Sequence, residues 1–198
     1  MYFSTAYFPP IEYFSKLIKC KSIYIEIYEN YTKQTYRNRC DILSANGRQS
    51  LTIPVIKGTT RKITTKDVEI DYSTNWQKIH SKSIEAAYRS SPFYEFFMPE
   101  IMPFFEKKYK FLYDFNFQIL EIVNDFIDID TKINFTNDFI KLDTKNLNDF
   151  RFSISPKQKN IFQNTPYTQV FSDKFKFQKN LSILDLIFNM GGESLLYC

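Results

Sequence analysis

An α/β fold is predicted for this chain, and three observations predict it. A short apolar segment at residues 1–6 is stopped by Tyr7-Phe8-Pro9-Pro10; a helical stripe at Ile11, Phe14, Leu17 and Ile18 and a β-branched, aromatic run at 23–28 follow. That order outlines a βαβ unit, whose crossover implies a parallel pair. Asn46-Gly47, the dipeptide preferred in hairpin turns, stands between DILSA and RQSLTIPV. Stripes of helical period occupy much of the remainder. The expectation is a mixed sheet made of the βαβ unit and a β-hairpin, flanked by helices, in a single domain over 1–198. The alternative is α+β, with an antiparallel sheet and the helices on one side.

Each element has its own justification. The helix at 11–19 places its apolar residues on one stripe, and the run IYIEIY reads as a buried strand. Counting outward from Asn46-Gly47 in a type I′ turn pairs Ile42 with Leu51 and Cys40 with Ile53, putting all four on one face. A strand extended back to residue 37 would turn Arg37 and Arg39 together to the opposite face. Residues 67–72 (DVEIDY) read as a short strand. Thr74 and Gln77 have capping-box spacing and begin a helix reaching about residue 89. Ser91-Pro92 ends that helix and opens another, and Pro99 and Pro103 divide the aromatic stretch that follows. Leu112, Phe115, Ile119, Ile122, Val123 and Phe126 mark a long amphipathic helix. KINF and FRFSI are further strands, and Ser182 caps a last helix that ends at Gly191-Gly192.

Composition bounds the function classes. Thirty-six aromatic residues (21 Phe, 14 Tyr, 1 Trp) in 198 supply a full core and exclude disorder. No apolar run reaches the roughly 18 residues of a membrane span, and the first residues lack the pattern of a signal peptide. Three scattered cysteines, Cys20, Cys40 and Cys198, form neither a disulfide framework nor a zinc knuckle, so reduced thiols and a cytoplasmic location are expected. Of the net charge of +4, residues 33–66 hold an outsized share: four Lys (33, 57, 62, 66) and four Arg (37, 39, 48, 61) against Asp41 alone. Such a cluster concentrates an anionic ligand, although charge runs are also what a solvated face presents. The pI of 8.8 falls below that of a dedicated nucleic-acid binder, which argues against that partner.

There is no Walker loop, GxGxxG, GxSxG or HExxH, so phosphates are not cradled by a glycine loop and no metal site is expected. No cofactor is named by these residues. His80 is the lone histidine, the only side chain whose unperturbed pKa lies near neutrality, and so the candidate catalytic acid or base. It shares a helical stripe with Trp76 and Ile84, where a hydrogen-bonded packing residue is the plainer reading. Lys33-Gln34-Thr35-Tyr36-Arg37-Asn38-Arg39 gathers cations, amides and hydroxyls in seven residues. Lys33, Gln34, Tyr36, Arg37, Asn38 and Arg39 are accordingly candidate substrate contacts, with Arg37 and Arg39 as a phosphate or carboxylate clamp. Arg61 or Lys62 is expected to join them from the next loop. Tyr7 and Glu12 stand where a βαβ unit usually opens its cleft. Tyr7, together with Trp76 as a stacking surface, completes the set.

AYFPPIEYF (6–14), YENYTKQTYRNRCDI (28–42), NGRQSLTIPV (46–55), NWQKIHSKSIEAAYRSSPFYEFF (75–97), QVF (169–171) and the NLSILDLIFN segment with its glycines resemble the WbqC-like protein family. Lys179 and Gly192 stand where the resemblance would put proline. It implies a role in surface-polysaccharide (O-antigen) biosynthesis, as a transferase moving an aminoacyl (glycyl) or acyl group to a sugar. In that reading the basic run holds an anionic, nucleotide-activated donor and His80 deprotonates the acceptor. The other reading is a non-catalytic carbohydrate or nucleotide-sugar binding protein, in which the same residues only recognise.

Overall fold

The computed structural model describes residues 1–56, 62–141, 148–158 and 162–198. β1 (Tyr2–Ser4), α1 (Ile11–Leu17) and β2 (Ser22–Glu26) build the βαβ unit. β1 and β2 run parallel, Phe3 opposite Ile25, and β5 (Lys132–Phe135) adds a third parallel strand in the order β1-β2-β5. Ile23 and Ile25 alternate inward along β2, while Ile11, Phe14 and Leu17 of α1 are fully buried.

The hairpin consists of β3 (Arg39–Ser44) and β4 (Gly47–Thr52), which pair antiparallel as a separate two-stranded ladder. Parallel and antiparallel pairs are thus both present, flanked by helices. The register differs by two residues from the expected one: Ser44 faces Gly47, Cys40 faces Leu51, and the turn is made by Ala45-Asn46. A type I′ turn needs positive φ at both central residues; here only Gly47 has it, at +99°. The Ser44 hydroxyl closes the turn, donating to the Gly47 carbonyl and accepting from the Asn46 N–H. Because the slip is even, Cys40, Ile42, Leu51 and Ile53 remain buried.

The expected strand at 67–72 is an extended segment instead, preceded by a 3-10 turn over Thr65–Asp67. Its bonds alternate between two neighbours, Ile56 N–H to Glu69 and Asp71 N–H to Pro54 on one side, Ile70 N–H to Lys110 and Leu112 N–H to Val68 on the other. No ladder longer than an isolated bridge results. FRFSI (150–154) forms no strand among the described residues: the single bridge is Asp149 to Tyr2, just before it, with the Phe150 N–H donating to the Tyr2 carbonyl, after which Arg151 is buried.

α2 (Trp76–Tyr88) begins without the capping box: no side chain caps it, and the Gln77 amide donates to the Phe104 and Lys107 carbonyls instead. α3 (Tyr94–Ile101) and α4 (Pro103–Glu106) follow, then α5 (Leu112–Phe126), whose Leu112, Phe115, Ile119 and Val123 are fully buried. α6 (Ile183–Met190) is capped by Ser182, whose hydroxyl accepts from the Leu184 N–H. Its start is tied to the connection after β1 and to the hairpin: Ile183 N–H donates to the Pro9 carbonyl and Ser182 N–H to the Asp41 carbonyl. Together α6, the prolines after β1 and the hairpin form one wall behind the segment that leads from β2 into β3.

Candidate anion-binding cavity

Residues 31–38 leave β2 and return to start β3. The Tyr7 N–H donates to the Tyr36 carbonyl, and the Thr35 hydroxyl closes a turn on the Thr32 carbonyl. Gln34 takes φ of +57°, a left-handed conformation that a non-glycine residue adopts only where its surroundings hold it. This tight turn divides the donor-rich run between two destinations.

Lys33, Gln34, Asn38 and Arg39 line one cavity of ≈ 720 Å³, together with Tyr31, residues 52–56 and Asp71. Two cations and one carboxylate face it, with Ile53, Pro54 and Val55 as an apolar wall. Asp71 is ionised there: the Ser73 N–H, donating to it at 2.8 Å, holds its carboxyl below the usual range. Among the described residues, nothing bonds the Arg39 guanidinium, and its Nε is sealed from solvent without a partner. Asn38 Oδ1 is likewise buried and unpartnered.

Arg37 goes elsewhere. It precedes β3, is 3% exposed, and donates through Nε and Nη2 to Glu29 at 2.8 and 2.5 Å, and through Nη2 to Ser4. The expected clamp of Arg37 with Arg39 is therefore not formed, because a guanidinium turned into the protein must be paired. Burial raises the Glu29 carboxyl even though the Arg37 charge lowers it. Beside this pair Arg151, fully enclosed, bonds Asp149 and Glu26. Both arginines belong to a buried network at the carboxyl ends of β1 and β2, where a ligand cleft was expected.

Tyr7, Trp76 and His80 form a third group, inside the core at 0%, 3% and 3% exposure. The Tyr7 hydroxyl lies 3.0 Å from His80 Nδ1, and the His80 ring also bonds the Thr52 backbone. A carbonyl can only accept, so the ring nitrogen facing Thr52 carries the hydrogen and Nδ1 accepts from Tyr7. Burial lowers the His80 pKa to about 4, and raises the Tyr7 hydroxyl well above its usual range. His80 is not part of the cavity lining; Thr52 stands between. Tyr36 is also core, its hydroxyl pushed up to about 12 by burial. Glu12 pairs with Asn180, Lys62 is exposed outside the lining, and Arg61 lies outside the described residues.

Cys40 is buried, which holds its thiol well above the usual range and removes it as a nucleophile at neutral pH. No cluster of three His, Cys, Asp or Glu side chains suited to a metal occurs among the described residues. A larger cavity of ≈ 820 Å³ between α5 and β5 is lined by Glu121, Asp125 and Asp130 with Lys132, the wrong charge balance for an anion. Tyr31, Asp71 and the 52–56 wall were missed from sequence. The Pro54 that interrupts the strand run was the one available signal that this segment leaves the ladder.

No helix of the described residues is long and apolar enough to cross a membrane. Compared with known proteins, the chain matches the model of the WbqC-like protein family over residues 5–160. The resembling segments at 169–171 and beyond lie outside that match. No curated protein and no solved structure matches it.

Proposed function

The chain belongs to the WbqC-like protein family, and from that premise we propose that it recognises an anionic, nucleotide-activated or carbohydrate-bearing small molecule in the cavity of Arg39. The observation that carries the reading is the Arg39 guanidinium, without a partner among the described residues, in the lining of an open cleft beside Lys33 and an apolar wall. Arg39 is partly exposed and its guanidinium has no partner among the described residues, so an anion arriving there gains a charge-assisted bond without displacing an internal one. Recognition without catalysis fits His80, which is enclosed, neutral and separated from the cavity by Thr52. Within surface-polysaccharide (O-antigen) assembly, such a protein would bind a nucleotide sugar or the sugar itself.

One observation favours a second reading, transfer of an aminoacyl or acyl group to a sugar. Asp71 is an ionised carboxylate in the same lining, placed where an acceptor amine or hydroxyl could lose its proton. Calorimetry with inorganic diphosphate and with nucleotide sugars tests the site. Arg39→Gln is expected to weaken binding roughly 10- to 100-fold, the range of one charge-assisted bond. Arg89→Gln, at the exposed C-cap of α2, leaves it unchanged. Affinity unaffected by Arg39→Gln overturns the proposal. In a transferase, Asp71→Asn would preserve affinity and reduce turnover by about 10²- to 10⁴-fold.

A further inference from the structure

One wall of the Arg39 cleft is apolar along four consecutive residues and is left partly bare. Ile53, Pro54, Val55 and Ile56 all belong to the lining. Ile53 is buried, Pro54 and Val55 are partly exposed, and Ile56 is 51% exposed. An apolar surface left open and rimmed by polar groups is a feature of ligand grooves.

The wall is also poor in free hydrogen-bonding groups. The Ile53 N–H donates to the Asn38 carbonyl, and the Ile53 carbonyl accepts from Asn38 Nδ2. Pro54 has no N–H and its carbonyl accepts from the Asp71 N–H, while the Ile56 N–H donates to the Glu69 carbonyl. A ligand hydroxyl or base edge laid there gives up bonds to water for few replacements. A hydrocarbon group has none to lose and gains by leaving water.

The charges fix an orientation. Arg39 faces Thr52 in the ladder, so it stands where the wall begins. Of its guanidinium nitrogens Nε alone is sealed, so the Nη groups remain reachable, and Lys33 in the same lining is exposed. The Asp71 backbone flanks the wall at Pro54, and its carboxylate repels an anion from that side. An anionic group is therefore held at the Arg39 end.

We infer that the ligand is an amphiphilic anion: a phosphate or carboxylate head on Arg39 and Lys33, bearing an alkyl or acyl chain that lies along Pro54, Val55 and Ile56. This rests on the anion-binding reading above and names its ligand class. At about 3.3 Å per extended residue, the wall from 53 to 56 reaches about 10 Å, room for a chain of several carbons. The cleft is concave, with a volume of ≈ 720 Å³, which suits one whole small ligand; a bilayer surface calls for apolar side chains that protrude.

The test is a calorimetric titration of the intact chain with methyl, butyl and octyl phosphate, each below its micelle-forming concentration. Butyl phosphate is expected to bind roughly 10-fold more tightly than methyl phosphate, as three more methylenes are partly removed from water, and octyl phosphate more tightly still. Ile56→Ser, which keeps the backbone bond to Glu69, should reduce the octyl gain at least about 3-fold and leave methyl phosphate unaffected. Equal binding of methyl and octyl phosphate overturns the inference, and weakening of both by Arg39→Gln then leaves the anion site standing. A chain-length gain that Ile56→Ser leaves intact overturns it as well. Octyl phosphate binding unchanged by Arg39→Gln, or no binding of any of the three, removes both readings. Sedimentation with phosphatidic acid vesicles, while octyl phosphate binds no better than methyl phosphate, would set the wall against a bilayer and also overturn the inference.

Discussion

Tyr7 and His80 are joined by a 3.0 Å bond between the Tyr7 hydroxyl and His80 Nδ1, with both side chains inside the core. The bond links the end of the first βαβ strand to the middle of α2. It gives the lone histidine a structural occupation: neutral, it accepts from tyrosine on one side and donates to Thr52 on the other. Protonation would reverse the first bond, leaving the Tyr7 hydroxyl to accept, and place a charge against the Trp76 ring inside the core.

The pH dependence of stability follows from that depression. The folded ring holds its proton only below about pH 4, whereas the unfolded chain takes one up near 6.5. The unfolded state therefore binds more protons between these values, and stability is full above pH 6.5 and lost as pH falls toward 4. Over that window about 3 kcal/mol is expected to disappear, at about 1.4 kcal/mol per pH unit. Urea denaturation at steps of pH should show the slope, and His80→Gln should flatten it. An unchanged slope in that variant would refute the assignment.

The two neighbouring arginines should separate cleanly. Arg37→Met strands the Glu29 carboxylate, whose Oε2 is already unpartnered, inside the protein. A loss of about 3 to 5 kcal/mol is expected, partly recovered by adding Glu29→Leu. Arg39→Met removes no bond among the described residues and should stay within about 0.5 kcal/mol. Chemical denaturation of the four proteins measures all of this.

Tyr88 connects three elements through one oxygen. Its hydroxyl donates to Asp185 of α6 at 3.0 Å and accepts from the Leu43 N–H of β3 at 3.3 Å. Tyr88→Phe leaves that N–H buried and unpaired, while Asp185 keeps Tyr167 and Gln169. The expected loss is about 1 to 3 kcal/mol, read from the shift in the urea midpoint at constant slope.

Gly191 and Gly192 end α6 side by side but are not equivalent. Gly191 has φ of +55°, and a Cβ there would strike the Phe93 ring, whereas a Cβ on Gly192 meets nothing within 4 Å. Gly191→Ala is expected to destabilise by about 1 to 3 kcal/mol through strain and overpacking. Gly192→Ala should be nearly neutral. Thermal melts of the two variants, compared with the wild type, check the contrast.

By itself the sequence determined the elements whose cause is local. The prolines after β1, the stripe of α1 and the β-branched run of β2 dictate a βαβ unit, because propensity and period act over a few residues. The hairpin was legible for the same reason, but its register was not. Asn46-Gly47 suits two turns; in the one formed, Cys40 faces Leu51 and Gly47 alone has a positive φ. Ser182 could be read as a cap because its bond spans two residues. Thr74 and Gln77 matched a cap pattern that long-range carbonyls outbid. In the candidate site, Lys33, Gln34, Asn38 and Arg39 were legible as a donor-rich run. Only the tertiary structure decided that Arg37 belongs to Glu29 and Arg39 to a cavity. Sequence spacing says nothing of which guanidinium meets a carboxylate from another strand. The same holds for His80: the helical stripe placed it beside Trp76, but whether that stripe faced a cavity or the core depended on where Tyr7 lay. Burial and pairing are properties of neighbours distant along the chain, and in this protein they separate the cavity-lining side chains from the structural ones.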